Sequence, residues 1–335
     1  MKILIIGGTR NMGYLLAQRV LESGHSLTLL NRGITRDDLP ESIPRLHCDR
    51  TDTQQLRRAL ARRNFDAVID FVMFRGNEAE DIVDILADQV GHYIYISTGQ
   101  VYLVRDGLKR PFKESDYTAP IMTPPEPNTY DYEEWLYGRD KSTAEDVFAT
   151  AFAERNFNYT SLRLPMVNSE RGGYDRLYGY YLRLKDKGPI LVPDQPDYPL
   201  RHIYSHDVVS AILKILESGK GKGKAFNIAQ DETVTLHEFL VQLGEIIGID
   251  PQIHRISREK LNANGFLPNA SPFSELWMSE LDNSLSKSEL GITYTPLKTY
   301  LENIITHWQS KPPQKPTSYA RRKAEKQFVE QKKNL

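Results

Sequence analysis

The sequence predicts an α/β fold: a doubly wound parallel sheet with a smaller C-terminal α/β part. Two observations carry the prediction. Short apolar runs alternate with helical stretches through the first half, the pattern of βαβ units. Each run is almost continuously apolar, as in strands covered by helices on both faces. Ile3 to Ile6 is the first strand, and Asn11 to Ser23 a helix with apolar Met12, Leu15, Leu16, Val20 and Leu21. Ser26 to Leu30 is the second strand and Arg45 to Cys48 the third, followed by a helix from Thr53 to Arg62. Ala67 to Val72 is the fourth strand, Glu78 to Gln89 a helix, and Tyr93 to Ser97 the fifth strand.

Residues 103–133 interrupt the alternation. The stretch PIMTPPEPNTYDYEEW is too rich in proline for regular structure, and a loop of that length is commonly functional or mobile. A long helix resumes near Tyr132 and runs to about Arg155, and Thr160 to Leu164 is another strand. Beyond it lie a helix around Tyr174 to Lys187, one at His206 to Glu217, a strand at Ala225 to Ile228, another at Leu236 to Ile247 and a last helix at Leu297 to Trp308. Residues 311–335 hold eight Lys or Arg against two Glu, a net +6 that leaves −7 for residues 1–310. That composition predicts a solvated, partly disordered basic tail.

Composition bounds the function. A chain of 335 residues accommodates one large α/β domain or two smaller ones. A net charge of −1 supplies no global field for nucleic acid or membrane. The single cysteine, Cys48, excludes an internal disulfide and fits a reducing compartment. No apolar run approaches the roughly 18 residues of a membrane span. Met1-Lys2 leads straight into a strand, so no leader is expected. The expectation is a cytoplasmic protein.

Gly7-Gly8-Thr9-Arg10-Asn11-Met12-Gly13 lies between the first strand and the first helix. This is the context of a Rossmann dinucleotide-binding turn, although arginine stands where a glycine is usual. Gly7 allows the sharp turn and Gly13 lets the helix approach the sheet. Backbone N–H groups at the helix start can meet a pyrophosphate. An ordinary strand–helix turn is the competing reading. The second strand ends Asn31-Arg32-Gly33, without the acid that would favour NAD by bonding the adenosine ribose. Arg10 and Arg32 converge on that ribose in this reading, and two guanidinium forks suit a 2′-phosphate. NADP is therefore the favoured cofactor, with NAD the alternative. The other reading of the two arginines is surface residues that touch the diphosphate or nothing.

Tyr137 and Lys141 stand i and i+4 in EEWLYGRDKSTAEDVF, on one face of the long helix. A nearby ammonium favours the phenolate and lowers its pKa from about 10. That makes an acid/base able to move a hydroxyl proton while hydride moves on carbon. The fifth strand ends Ser97-Thr98, at the carboxyl edge where ligands bind in open α/β sheets. Thr98 could bond the same substrate oxygen as Tyr137, or both hydroxyls could merely end the strand.

In this order, the glycine turn, strand-end hydroxyl and Tyr-x-x-x-Lys resemble the short-chain dehydrogenase/reductase superfamily. The length and C-terminal part resemble its extended branch, the NAD-dependent epimerase/dehydratase family, over roughly residues 1–310. Further matches are DRTD at 49–52, RHIYSHDVVSAIL at 201–213, FNIAQDETVTLHEF at 226–239 and DNSLSKSELGITYTPL at 282–297. GGTR at 7–10 with DAVIDFVMFRG at 66–76 looks most like an atypical subgroup that includes chloroplast stem-loop-binding proteins. Some of that subgroup have been linked to RNA.

The resemblance implies Thr98 as polarising hydroxyl, Tyr137 as acid/base, and Lys141 as its partner and holder of the nicotinamide ribose. It places Gly7, Thr9, Arg10, Asn11, Met12 and Gly13 at the diphosphate. Asp49, with Arg50 beside it, goes against adenine. Phe71, Val72 and Arg75 lie along the cofactor, and Pro165 and Met166 at the nicotinamide. Residues 1–165, with about 200–230, would form the dinucleotide-binding domain. Residues 166–199 and 231–310 would form the substrate-binding part. Helices near 78–90 and 134–155 would pair a homodimer.

The departures narrow the reading. Sugar-nucleotide dehydratases of the family carry Asp-Glu directly after the threonine, and here Gly99-Gln100 stands there. Met166 replaces an asparagine, and Val167-Asn168-Ser169 replaces Val-Tyr-Gly. Arg201 is either a substrate-anion clamp or structural. His202 and His206 lack an acidic pair in metal spacing, so no metal site is expected. Two functions compete. One is an NAD(P)-dependent oxidoreductase or epimerase acting on a secondary alcohol, ketone or sugar substrate. The other is a nucleotide-fold RNA-binding protein held on phosphates by its tail.

Overall fold

A computed structural model of the chain describes residues 1–172 and 176–333. In chain order the first half contains β1 (Lys2–Ile6), α1 (Asn11–Glu22), β2 (Ser26–Asn31), β3 (Arg45–His47), α2 (Thr53–Leu60) and β4 (Phe65–Asp70). Then come α3 (Gly76–Leu86), β5 (Val90–Thr98), the short α4 (Gln100–Leu103), α5 (Tyr130–Arg155) and β6 (Tyr159–Leu164). The second half holds β7 (Val167–Asn168), α6 (Arg176–Lys185), β8 (Ile190–Pro193), β9 (Ile203–Tyr204), α7 (Ser205–Ser218) and β10 (Lys224–Asn227). It ends with α8 (Leu236–Ile247), β11 (Ile253–Ile256), α9 (Arg258–Ala263), α10 (Ser284–Leu290), α11 (Leu297–Ser310) and α12 (Arg322–Lys333).

Among the described residues seven strands form one sheet in the order β10-β6-β5-β4-β1-β2-β3. Every neighbouring pair is parallel. The order reverses at β1, so adjacent crossovers leave in opposite directions and open a crevice at the carboxyl edge. In β1, Ile3 and Ile5 enter one core with α1 and α7. Leu4 and Ile6 enter the other with α2, α3 and α5. Alternating side chains on a strand covered twice explain why the run had to be apolar throughout. A third core joins α6, α8 and α11 through Leu177, Leu240 and Leu301.

Several expectations need correction. β4 stops at Asp70 rather than Val72, because the Asp70 carboxylate accepts the Val72 N–H at 2.8 Å and turns the chain. The interruption at 103–133 is not wholly irregular. A 3₁₀ turn occupies Glu114–Thr118, and Thr129 caps α5 by accepting from Tyr132 N. Arg105 donates to the Ala119 carbonyl at 2.6 Å, and Arg110 to those of Met278 and Leu276. The described part of the helix expected from Tyr174 begins at Arg176, and Tyr174 itself lies outside the described residues.

The basic tail is docked. Glu325 in α12 forms a buried ion pair with Arg183 of α6 at 2.6 Å, while Arg322 pairs with Asp186 at 2.6 Å. Val329 is buried in a small core with Leu191 and Phe266. Five of the tail's eight cations are thus set on a docked helix rather than a free segment. Among the described residues no helix is long and apolar enough to cross a membrane.

Candidate active site

A cavity of about 570 Å³ opens where the carboxyl ends of β1, β4, β5 and β6 meet. The glycine turn forms one wall. Gly7 has φ +88°, and a Cβ on it would come within 2.7 Å of Val72 Cγ1. A Cβ on Gly13 would lie 2.5 Å from the Gly7 carbonyl oxygen, so only glycine lets α1 start this close to β1. Asn11 also takes a left-handed conformation, φ +43°, which asparagine tolerates. Its Oδ1 is buried without a hydrogen-bond partner, and Asn11 and Met12 both line the cavity. Thr9 is partly buried and Arg10, the residue preceding α1, is exposed.

The neighbouring strand ends continue this edge. Asn31 closes β2; its Oδ1 accepts from Gly33 N at 2.8 Å, while its Nδ2 is buried and unpartnered. Hydrogen bonds from Thr51 hold the Asp49 carboxyl below its ordinary range, and the exposed Arg32 acts on it in the same sense. Arg32 and Asp49 therefore share one end of the edge. The Arg50 side chain is turned away from the edge. Its guanidinium is buried and engaged by Asp70 at 2.9 Å and Glu78 at 2.6 Å, leaving only its backbone for a cofactor.

Thr98, Tyr137 and Lys141 line the same cavity. Thr98 is the last residue of β5, and its Oγ1 accepts from Gln100 N at 3.3 Å, which leaves its own proton to donate. The neighbouring Ser97 hydroxyl instead donates to buried Glu145 at 2.5 Å. Lys141 is 3% exposed; its Nζ donates to the carbonyls of Met73 at 2.5 Å and Ile96 at 2.9 Å. Burial pushes its pKa down to about 8, against the pull of Asp70. The Tyr137 ring lies 6.1 Å from that of Phe74, on which the Lys141 ammonium also rests at 4.8 Å.

Phe71, Pro165 and Met166 complete the expected wall. Val72 instead packs over Gly7, and Arg75 is exposed, pairing with Asp140 at 3.4 Å. Arg201 is not part of the wall. Its Nε donates to the Gln230 carbonyl at 2.8 Å, and its charge acts on Asp231 and Asp282, which favours the structural reading over an anion clamp.

His202 is buried against Phe273, and burial, with Arg176 nearby, lowers it to about 3. His206 stacks on Tyr204. Among the described residues no group of three His, Cys, Asp or Glu is placed to hold a metal.

Some wall residues escaped the sequence reading. Glu133 and Glu134 precede Tyr137 by one helical turn, so the spacing that exposed Lys141 could have found them too. Arg176, Phe273, Trp277 and Trp308 arrive from distant segments and carry no local signal.

A parallel sheet ordered around a glycine turn, with a hydroxyl, a phenol and a buried ammonium in the crevice, defines a dinucleotide-fold α/β protein of the reductase and epimerase type. The chain belongs to the NAD-dependent epimerase/dehydratase family, whose model matches residues 3–229. It is 28% identical over 249 residues to the chloroplast stem-loop binding protein of 41 kDa b of Arabidopsis thaliana, covering 70% of this chain and 60% of that protein. It is 20% identical over 252 residues to 2′-dehydrokanamycin reductase of Streptomyces kanamyceticus, covering 74% and 67% respectively. The fold superposes on UDP-glucose 4-epimerase of Thermotoga maritima with a TM-score of 0.72 at 18% identity, covering 93% of this chain and all of that one. An NAD complex of dTDP-glucose 4,6-dehydratase from Bacillus anthracis gives 0.71 at 14% identity, covering 93% and 97%.

Proposed function

We propose that this chain is an NAD(P)-dependent enzyme that interconverts a secondary alcohol and a ketone on a small substrate, a sugar or sugar derivative being the favoured class. The observation that carries the reading is the gathering of Thr98, Tyr137 and Lys141 on one cavity beside the glycine turn. The dinucleotide fits what is there. A Cβ would fill the turn at Gly7 and Gly13, and the buried Asn11 Oδ1 and Asn31 Nδ2 lack partners. Gly7 to Gly13 would hold the diphosphate, Asn31, Arg32 and Asp49 the adenosine, and Phe71, Pro165 and Met166 the nicotinamide. When bound, that group supplies or accepts the hydride.

The chain's own residues handle the proton. Tyr137 exchanges it with the substrate hydroxyl, and Thr98 donates to the same oxygen and orients it. Lys141, kept charged below about pH 8, favours the phenolate of Tyr137. A reduction uses this step once; an epimerisation uses it in both directions with the ketone turned between. Dehydration at C4–C6 is disfavoured, because Gly99 replaces the acid and a Cβ there would lie 2.7 Å from Ser279 Cβ. Gln100 in turn donates to Glu134.

NADP is the proposed preference, through Arg10 and Arg32. Arg10→Ala and Arg32→Ala should each weaken NADPH binding by about tenfold, one ion pair's worth, and leave NADH binding unchanged. Equal NADPH affinity in both variants and the parent would remove the preference. The wider reading is tested by cofactor absorbance with a panel of keto sugars and nucleotide sugars. It expects turnover that Tyr137→Phe lowers by about a hundredfold or more. Failure of the parent to bind either dinucleotide would end it. The second reading, RNA binding, rests on the name of the chloroplast relative. It expects affinity for an RNA stem-loop that falls steeply with salt.

A further inference from the structure

Asp70, the last residue of β4, is fully buried. Its Oδ2 accepts from Arg50 Nη2 at 2.9 Å and from the Tyr93 hydroxyl at 2.8 Å. Its Oδ1 accepts from Val72 N at 2.8 Å. The other arm of Arg50, Nη1, donates to Glu78 Oε2 at 2.6 Å, and that same oxygen accepts from Phe74 N at 2.9 Å. The segment from Phe71 to Phe74 is therefore tied near both ends to carboxylates, and one guanidinium bridges the two. Between the ties, the Met73 carbonyl accepts from Lys141 Nζ.

We infer that Arg50 is a positioning residue: by bridging Asp70 and Glu78 it fixes the Phe71–Phe74 segment and, through the Met73 carbonyl, the place of the Lys141 amine. A buried ion pair adds little net stability over an apolar replacement, and its better-attested use is to specify one geometry. Here the specified geometry is a short loop that would otherwise sample several conformations. The charged groups acting on Lys141 come from each packed element: Asp70 from β4, Arg50 from the turn after β3, Glu78 from α3 and Glu145 from α5. From β5 the Tyr95 ring lies 4.9 Å away, and Tyr137 stands one turn earlier on α5. The assignment gives Lys141 its meaning through the proposed chemistry, but its test needs no turnover.

The experiment measures amide hydrogen exchange at Val72 and Phe74, and the NMR titration of the lysine amines, with Lys141→Met assigning the resonance. Arg50→Met should accelerate exchange at both amides by about tenfold, as for one lost hydrogen bond each. It should also move the Lys141 midpoint upward by about one unit, by removing a cation and admitting water. Wild-type exchange at both amides, or an unmoved midpoint, would overturn the inference. Should Arg50→Met fail to fold, Glu78→Ala decides. It should accelerate Phe74 by about tenfold and leave Val72 protected by Asp70; an unaltered Phe74 amide would overturn the inference.

Discussion

At the scale of single residues, Lys141 is where pH acts on the fold and on the proposed reaction. Its folded pKa of about 8 lies below the unfolded 10.5, so between those values the unfolded chain binds more protons. Stability contributed by this site therefore rises with pH across that window and is flat below it. Compared with Lys141→Met, the parent should gain on the order of 3 kcal/mol between pH 8 and 10.5, measurable by urea unfolding of the pair. In the proposed reaction the same deprotonation acts oppositely: above about pH 8 the ammonium is lost and the support for the Tyr137 phenolate with it. The gathering of Tyr137, Lys141 and Thr98 on one cavity was legible because helical spacing and a strand end are local facts. The engagement of the Arg50 side chain was not legible, for a physical reason. Its position beside Asp49 is local, but the carboxylates that capture its guanidinium come from β4 and α3. Arg201 was left open for the same reason, since the Gln230 carbonyl it bonds is tertiary.

Among elements, the long parallel strands and most helices with one apolar face were predicted to within a few residues; Leu236–Ile247, expected as a strand, is instead α8, started by the capping box of Thr235 and Glu238. Their cores demand a periodic sequence. β7, β8, β9 and β11 were not predicted: they pair two by two outside the seven-stranded sheet, in segments that lack the strand–helix alternation. α12 was misjudged from composition. Eight cations in 25 residues read as a tail, yet the contacts that dock it are made by few residues, chiefly Glu325, Arg322 and Val329. Glu325→Ala would leave Arg183, fully buried, without its carboxylate. The expected loss is about 3–5 kcal/mol in urea unfolding. The exposed Glu330→Ala should change stability by less than about 0.5 kcal/mol. Equal stability in the two variants would return α12 to the status of an attachment. The N-cap of α2 offers a smaller check: Asp52 accepts from Gln55 N at 3.0 Å, so Asp52→Ala should lower stability by about 1 kcal/mol.

For the whole molecule, the topology does most of the functional placement. Reversal of strand order at β1 brings the first turn and the ends of β4, β5 and β6 to one edge. Residues more than a hundred positions apart then face one cavity without any local signal. The segments at 103–133, 166–199 and 255–295 contribute Tyr130, Met166 and Trp277 to its wall. The docked α12 fastens to α6, whose first residues, Arg176 to Tyr178, line the cavity. This ties the C-terminal segment to the proposed substrate side. The most direct measurement is a crystal structure of the chain with NADP bound. The account predicts the nicotinamide ring in the cavity against Pro165 and Met166, with Tyr137, Thr98 and Lys141 around the space beside it. A dinucleotide bound with its ring outside the cavity, or a Tyr137 hydroxyl turned away from the ring, would contradict it.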